Sequence, residues 1–159
     1  MTRKPIAFAL AAGLLAGVPL VAHAEDASVK RRLDDRGVKY DIDKDGDFRI
    51  VYNYTKEKRS QLVYVSGNTE TTGGTLVRKV FSPAAVLSAN PIDGPRALEL
   101  LRDAYTNKMG SWEIGGGILY LVIKLPDSAT ATELKSAMDI AAELADDMEI
   151  KISGSKDGL

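Results

Sequence analysis

Asp41, Asp43 and Asp45 stand at alternate positions and Gly46 follows, the D-x-D-x-D-G spacing of the first half of an EF-hand calcium loop. Calcium is a hard ion that takes about six to eight oxygen ligands, and three carboxylates so spaced can converge on it. The twelfth position of such a loop needs a bidentate Glu, and here it is Tyr52. The flanking residues alternate as strands do, where the motif needs helices. A hairpin turn accounts for the same residues, because Asp and Gly tolerate left-handed geometry. Asp41, Asp43 and Asp45 stand as the weak metal alternative; the reading expects no metal and no cofactor.

Other groupings carry less chemistry. Ser153, Gly154, Ser155 and Lys156 match S-x-x-K, but in a polar tail and without the S-D-N or K-T-G companions of serine acyl-transfer enzymes. Asp34–Asp35 and Asp146–Asp147 are adjacent pairs, and neighbours on a helix point about 100° apart. Neither pair faces itself across a cleft as a glycosidase requires, although distant carboxylates can still meet in space. The Gly-rich segments 67–74 and 115–117 lack the spacings that cradle phosphate. The 159 residues hold no Cys, and the one His is His23. Disulfides, thiolate nucleophiles, Ser-His-Asp triads and the usual zinc, copper and haem ligand sets are thereby excluded for residues 25–159.

Residues 1–24 read as a secretory signal. Arg3 and Lys4 form a positive start, residues 6–16 an apolar run, and Ala22-His23-Ala24 a small-residue cleavage site. The mature chain is expected in the periplasm or outside the cell, with no membrane attachment after cleavage. The chain carries 21 basic and 22 acidic residues; without Arg3 and Lys4 its net charge is −3. A mildly acidic domain lacks the basic footprint that nucleic acid requires.

The elements that must position these groups read as follows. Residues 26–36 form a helix capped by Asp26 and stopped at Gly37, its charged residues on a solvated face. Val38, Tyr40 and Ile42, then Phe48, Ile50, Tyr52 and Tyr54, keep period two around an Asp-Gly turn, the signature of a β-hairpin. Residues 61–66 and 75–82 are further strands, 67–74 a loop and 83–91 a connector with room for one helical turn. Asp93 caps a second helix whose stripe holds Ala97, Leu98, Leu101, Ala104, Tyr105 and Met109. Trp112 is a core anchor, and residues 118–125 a central strand covered on both faces. Thr130 and Glu133 make the capping box of the last helix. The order is α-β-β-β-(β)-α-β-β-α, an α+β class with an antiparallel sheet and packed helices.

The run from Gly37 to Phe48, the segment from Asn107 to Glu113, and the end of the last helix from Ala145 to Glu149 together resemble the YbjN-like family. These are bacterial domains described as sensory-transduction regulators, with a fold similar to type III secretion chaperones. The resemblance covers residues 26–154 and implies a chaperone-like fold with no known catalytic residues; the chain is read as a single domain over 25–154 with a polar tail at 155–159. The resemblance also implies that the Asp-Gly segment is a hairpin turn. Many relatives lack a signal, so a cytoplasmic regulatory role transfers poorly to this chain.

The function expected is a non-enzymatic binding or regulatory module for a protein or peptide, with pairing to a second copy compatible with the fold. Tyr52, Tyr54 and Tyr64 are the candidate contact residues, because aromatic side chains are enriched in binding hot spots. The alternatives are a hydrolase using paired carboxylates and a calcium-dependent structural protein.

Overall fold

The computed structural model describes residues 26–154. The signal at 1–24 and the tail at 155–159 lie outside the described residues. The chain runs α1 (Ala27–Asp34), β1 (Asp41–Ile42), β2 (Phe48–Tyr54), β3 (Arg59–Val65), β4 (Glu70–Thr72), β5 (Thr75–Val86), α2 (Gly94–Thr106), β6 (Ser111–Gly115), β7 (Ile118–Pro126) and α3 (Ala131–Ser153). Every pairing is antiparallel, in one sheet of order β1-β2-β3-β5-β7-β6 with β4 beside β5. The α+β class and the sequence of elements are as expected, with one strand more.

Alternation along the strands decides which side chains meet the helices. Phe48 and Ile50 on β2, Val63 and Val65 on β3, Val80 on β5, and Leu119, Leu121, Ile123 and Leu125 on β7 face one way. They join Val29 and Leu33 of α1, Leu100 of α2, and Leu134, Met138, Ala141, Ala145 and Met148 of α3 in one core. The small residues of α3 let its backbone approach the sheet. Its start is fixed by the expected capping box: Glu133 N donates to Thr130 Oγ1, and Thr130 N donates to Glu133 Oε2.

Five local expectations give way. In the segment read as the loop 67–74, Glu70–Thr72 pairs with β5 as β4, turning at Gly73 and Gly74, both at positive φ. Backbone pairing and a Gly-Gly turn need no hydrophobic pattern. β5 continues past Ser82 to Val86 with a bulge at Pro83–Ala85, so the first part of the connector 83–91 is strand. Pro83 has no N–H for a ladder, and side chains stand in: Gln61 Nε2 donates to Pro83 O at 2.6 Å and Ser82 Oγ to Leu62 O at 2.6 Å. The stripe of α2 is turned: Leu100 is buried, whereas Leu98, Leu101 and Tyr105 are 54%, 68% and 91% exposed. Trp112 is half-buried at the sheet edge, where its indole Nε1 donates to Asp103 Oδ2 at 2.7 Å and ties β6 to α2. β7 carries helices on one face only.

Arg32 leaves the solvated face expected of the first helix, and with Arg78 it converges on Asp127. Arg78, on β5, is 2% exposed. Its guanidinium donates to Asp26 Oδ2 at 2.6 Å, to Asp127 Oδ1 at 2.8 Å and to the carbonyl of Ser66. Arg32 leaves the surface of α1 to donate to the carbonyls of Asp127 and Ala129. One buried arginine thus fastens the cap of α1, the end of β3 and the β7–α3 corner. Burial opposes ionisation of Asp26, but hydrogen bonds from Ser28, Val29 and Arg78 outweigh it and hold its pKa at about 2.

Because the folded pKa of Asp26 lies below its ordinary value of 3.8, its contribution to stability is complete above that value and lost as pH falls toward 2. Arg78→Met should destabilise the fold by about 3 kcal/mol, the low end for a broken buried pair, because Asp26 and Asp127 keep 25% of their side-chain surface and can rehydrate. Urea unfolding at pH 7 measures the loss, and an acid titration should show the variant's unfolding midpoint moved to higher pH.

Candidate functional site

The Asp-Gly segment is engaged as a turn. Asp43 Oδ1 accepts from the amides of Asp45 at 2.9 Å and Asp47 at 3.0 Å, and Gly46 takes φ 84°. Asp41 Oδ2 accepts from Arg49 Nη2 at 3.0 Å across the β1–β2 pair. Asp47 Oδ1 accepts from Gly67 N at 2.9 Å and fastens the turn to the β3–β4 loop. Burial pushes the Asp47 carboxyl up, Asp43 and Asp45 add to this, and the Gly67 amide opposes it. Asp41 and Asp43 therefore spend oxygens on the hairpin, while the Asp45 carboxylate stays exposed. Among the described residues no three His, Cys, Asp or Glu groups are placed to hold a metal ion.

Carboxylates do converge elsewhere, on arginines. Arg59, at the start of β3, donates to Asp146 Oδ1 at 2.9 Å and to Glu149 Oε2 at 2.7 Å, all three side chains being largely buried. Asp146 and Glu149 lie one turn apart on α3, and one guanidinium bonds both. This is a clasp between sheet and helix.

The three candidate tyrosines divide between the two faces of the sheet. Tyr52 and Tyr54 follow Phe48 and Ile50 on the helix side. Tyr52 OH donates to Asp139 Oδ1 at 2.8 Å, and Lys135 Nζ sits 5.7 Å from the Tyr52 ring centre while bonding both oxygens of Asp139. Burial, then the Asp139 bond, drives the Tyr52 hydroxyl pKa far up; burial and the charges of Asp146, Glu143 and Asp147 push Tyr54 up to about 12. Between β2 and α3 the rings floor a groove of about 470 Å³, lined also by Glu57, Asp139, Glu143, Asp147 and Ile150.

Tyr64 points the opposite way. It stacks on Phe81 with ring centres 5.1 Å apart and planes at 11°, and Phe81 meets Tyr120 edge-on at 5.7 Å. This row crosses β3, β5 and β7 on the face that none of α1, α2 and α3 covers. Beside it lies a dent of about 170 Å³ lined by Lys79, Phe81, Glu113, Tyr120 and Val122. Sequence reasoning missed Phe81 and Tyr120; the signal that could have found them is parity, since in each strand the aromatic residue falls on the odd beat of an apolar run. A second apolar surface is the stripe Leu98, Leu101 and Tyr105 on the outer side of α2.

No protein-family model and no curated protein matches the chain. Its fold is similar to solved chains of secretion chaperone complexes. One, from the HopA1–SchA chaperone–effector complex, superposes with TM-score 0.54 at 14% identity over 78% of this chain and 94% of that one. Another, from the complex of the Yersinia pestis type III secretion chaperone SycH with a stable fragment of YscM2, gives TM-score 0.50 at 11% identity over 77% and 98%. The likeness establishes a type III chaperone-like fold.

Titration with calcium should give no saturable heat below about 1 mM, the range of weak extracellular sites at best. A micromolar isotherm abolished by Asp43→Ala and Asp45→Ala would reinstate the metal reading.

Proposed function

We propose that this domain is a non-enzymatic binding module that takes a protein or peptide segment on the uncovered face of its sheet. The observation that carries the reading is the row Tyr64–Phe81–Tyr120, large aromatic surface on a face no described helix packs against. Aromatic side chains lose little entropy on binding and dominate hot spots. The dent beside Phe81 and Tyr120 takes an apolar side chain, with Lys79 and Glu113 at its rim. β6 ends the sheet order, so its outer backbone groups are open to an added strand. The similar folds come from complexes of a chaperone with an effector or with a YscM2 fragment, which supports a protein as occupant.

The YbjN-like identity rests on the three segments of sequence that resemble that family and on the shared fold. The periplasmic or secreted location rests on the three-part pattern of residues 1–24. Pairing with a second copy is supported by the α2 stripe, whose Leu101 and Tyr105 spend apolar area on solvent.

A photo-reactive phenylalanine analogue at Tyr120 should trap a discrete partner in the native compartment, and the same analogue at the exposed turn residue Lys58 should not. Adducts of equal yield from both positions, or turnover of a substrate lost on changing one Asp or Glu, would overturn the reading. For self-pairing, light scattering should show a dimer that Leu101→Glu converts to monomer without loss of helix signal; a monomeric parent protein refutes it.

A further inference from the structure

We infer that the groove between β2 and α3 seats one cationic side chain, an arginine or lysine of an extended protein segment, on the ring of Tyr54 between Glu143 and Asp147. The protein already shows what this arrangement holds. At the first step of the groove its own Lys135 lies over the Tyr52 ring and bonds Asp139 through both oxygens, at 2.6 and 2.8 Å. That trio of ring, carboxylate and ammonium is a cation–π seat closed by an ion pair.

The geometry repeats one step on. From Tyr52 to Tyr54 the strand advances about 6.8 Å, and from Asp139 to Glu143 the helix advances about 6 Å. A ring and a carboxylate therefore arrive together again, with Asp147 another turn along the same helix face. At this second step Arg59, opposite Tyr54 in the β2–β3 register, is taken up by Asp146 and Glu149, and among the described residues Glu143 and Asp147 are left without a cation. Asp146 is spent on Arg59 and Asp139 on Lys135, whereas Glu143, Asp147 and Glu57 have no ion pair among the described residues. All three are exposed, and the half-buried Tyr54 ring lies within the field of Glu143 and Asp147. Ile150, 41% exposed at the end of the groove, offers apolar surface to the aliphatic stem that such a side chain carries.

The surface complements a positive side chain in charge and shape, and it repels an acidic segment. The inference takes from the protein-binding reading only that the occupant is a protein segment. Its groove lies across the sheet from the Tyr64–Phe81–Tyr120 row, so either site can fail alone.

The probe is the pentapeptide Gly-Ser-Arg-Ser-Gly, acetylated and amidated, titrated into ¹⁵N-labelled protein. Saturable amide shifts should centre on Tyr54, Glu143 and Asp147. The peptide with citrulline in place of Arg should bind at least tenfold more weakly. Glu143→Gln with Asp147→Asn, both at exposed positions, should weaken binding at least tenfold, and Tyr54→Leu should do the same with an unchanged spectrum elsewhere. Asp35→Asn with Glu99→Gln removes equal charge elsewhere and should leave binding intact. Shifts spread over all acidic surfaces, equal binding of the citrulline peptide, or no saturable shift would overturn the inference. Loss of shifts at Tyr54 with photo-adducts still forming at position 120 rejects this site and leaves the other standing.

Discussion

The fold closes on one buried guanidinium. Arg78 sits at 2% exposure in the middle strand of the sheet and meets a carboxylate from the first helix cap, a carboxylate from the β7–α3 corner and a strand-end carbonyl. A charge in that position is tolerable only when fully bonded, so its three partners must be where they are. That requirement fixes the entry of α1, the exit of β3 and the corner from which α3 departs. Arg32 reads the same corner from the other side through the carbonyls of Asp127 and Ala129. With α3 placed, its carboxylates clasp Arg59 on β3 and its outer face forms one wall of the acidic groove.

What the sequence discloses follows from which forces are local. The capping box at Thr130 and Glu133, the period of α3 and the Asp-Gly hairpin are written within a few residues, and they appear where expected. β4 was hidden because a short edge strand is held by backbone bonds and a single Glu70–Lys79 ion pair, neither of which needs a hydrophobic pattern. The turn of α2 was hidden because its periodicity offers two apolar faces, Leu100 with its small neighbours and Leu98–Leu101–Tyr105, and burial selects the one that meets β6 and α3. Arg32 looked like a surface charge because the carbonyls that take it up lie 95 and 97 residues away, and the two carboxylates of Arg78 lie 49 and 52 residues away.

The candidate site shows the same division. Tyr52 and Tyr54 share a face because they are two residues apart in one strand, which alternation alone predicts. Their separation from Tyr64 needs the β2–β3 register, Tyr64 opposite Arg49, and the grouping of Tyr64 with Phe81 and Tyr120 needs pairings between distant strands. The carboxylates around Tyr54 come from α3, almost ninety residues on in the chain.

The strand that carries Arg78 also governs when the protein can acquire its shape. β5 pairs with β7 over residues 32 to 49 positions apart, from Val86 with Ile118 to Val77 with Pro126. Closing such spans costs chain entropy before any contact repays it, and topologies built on them fold slowly. The β2–β3 hairpin can form early, but by itself a two-stranded ribbon is marginal in water. The centre of the sheet waits for residue 126, and the guanidinium waits for Asp127. The domain thus stays pliable through most of its length and sets cooperatively once its last helix is within reach.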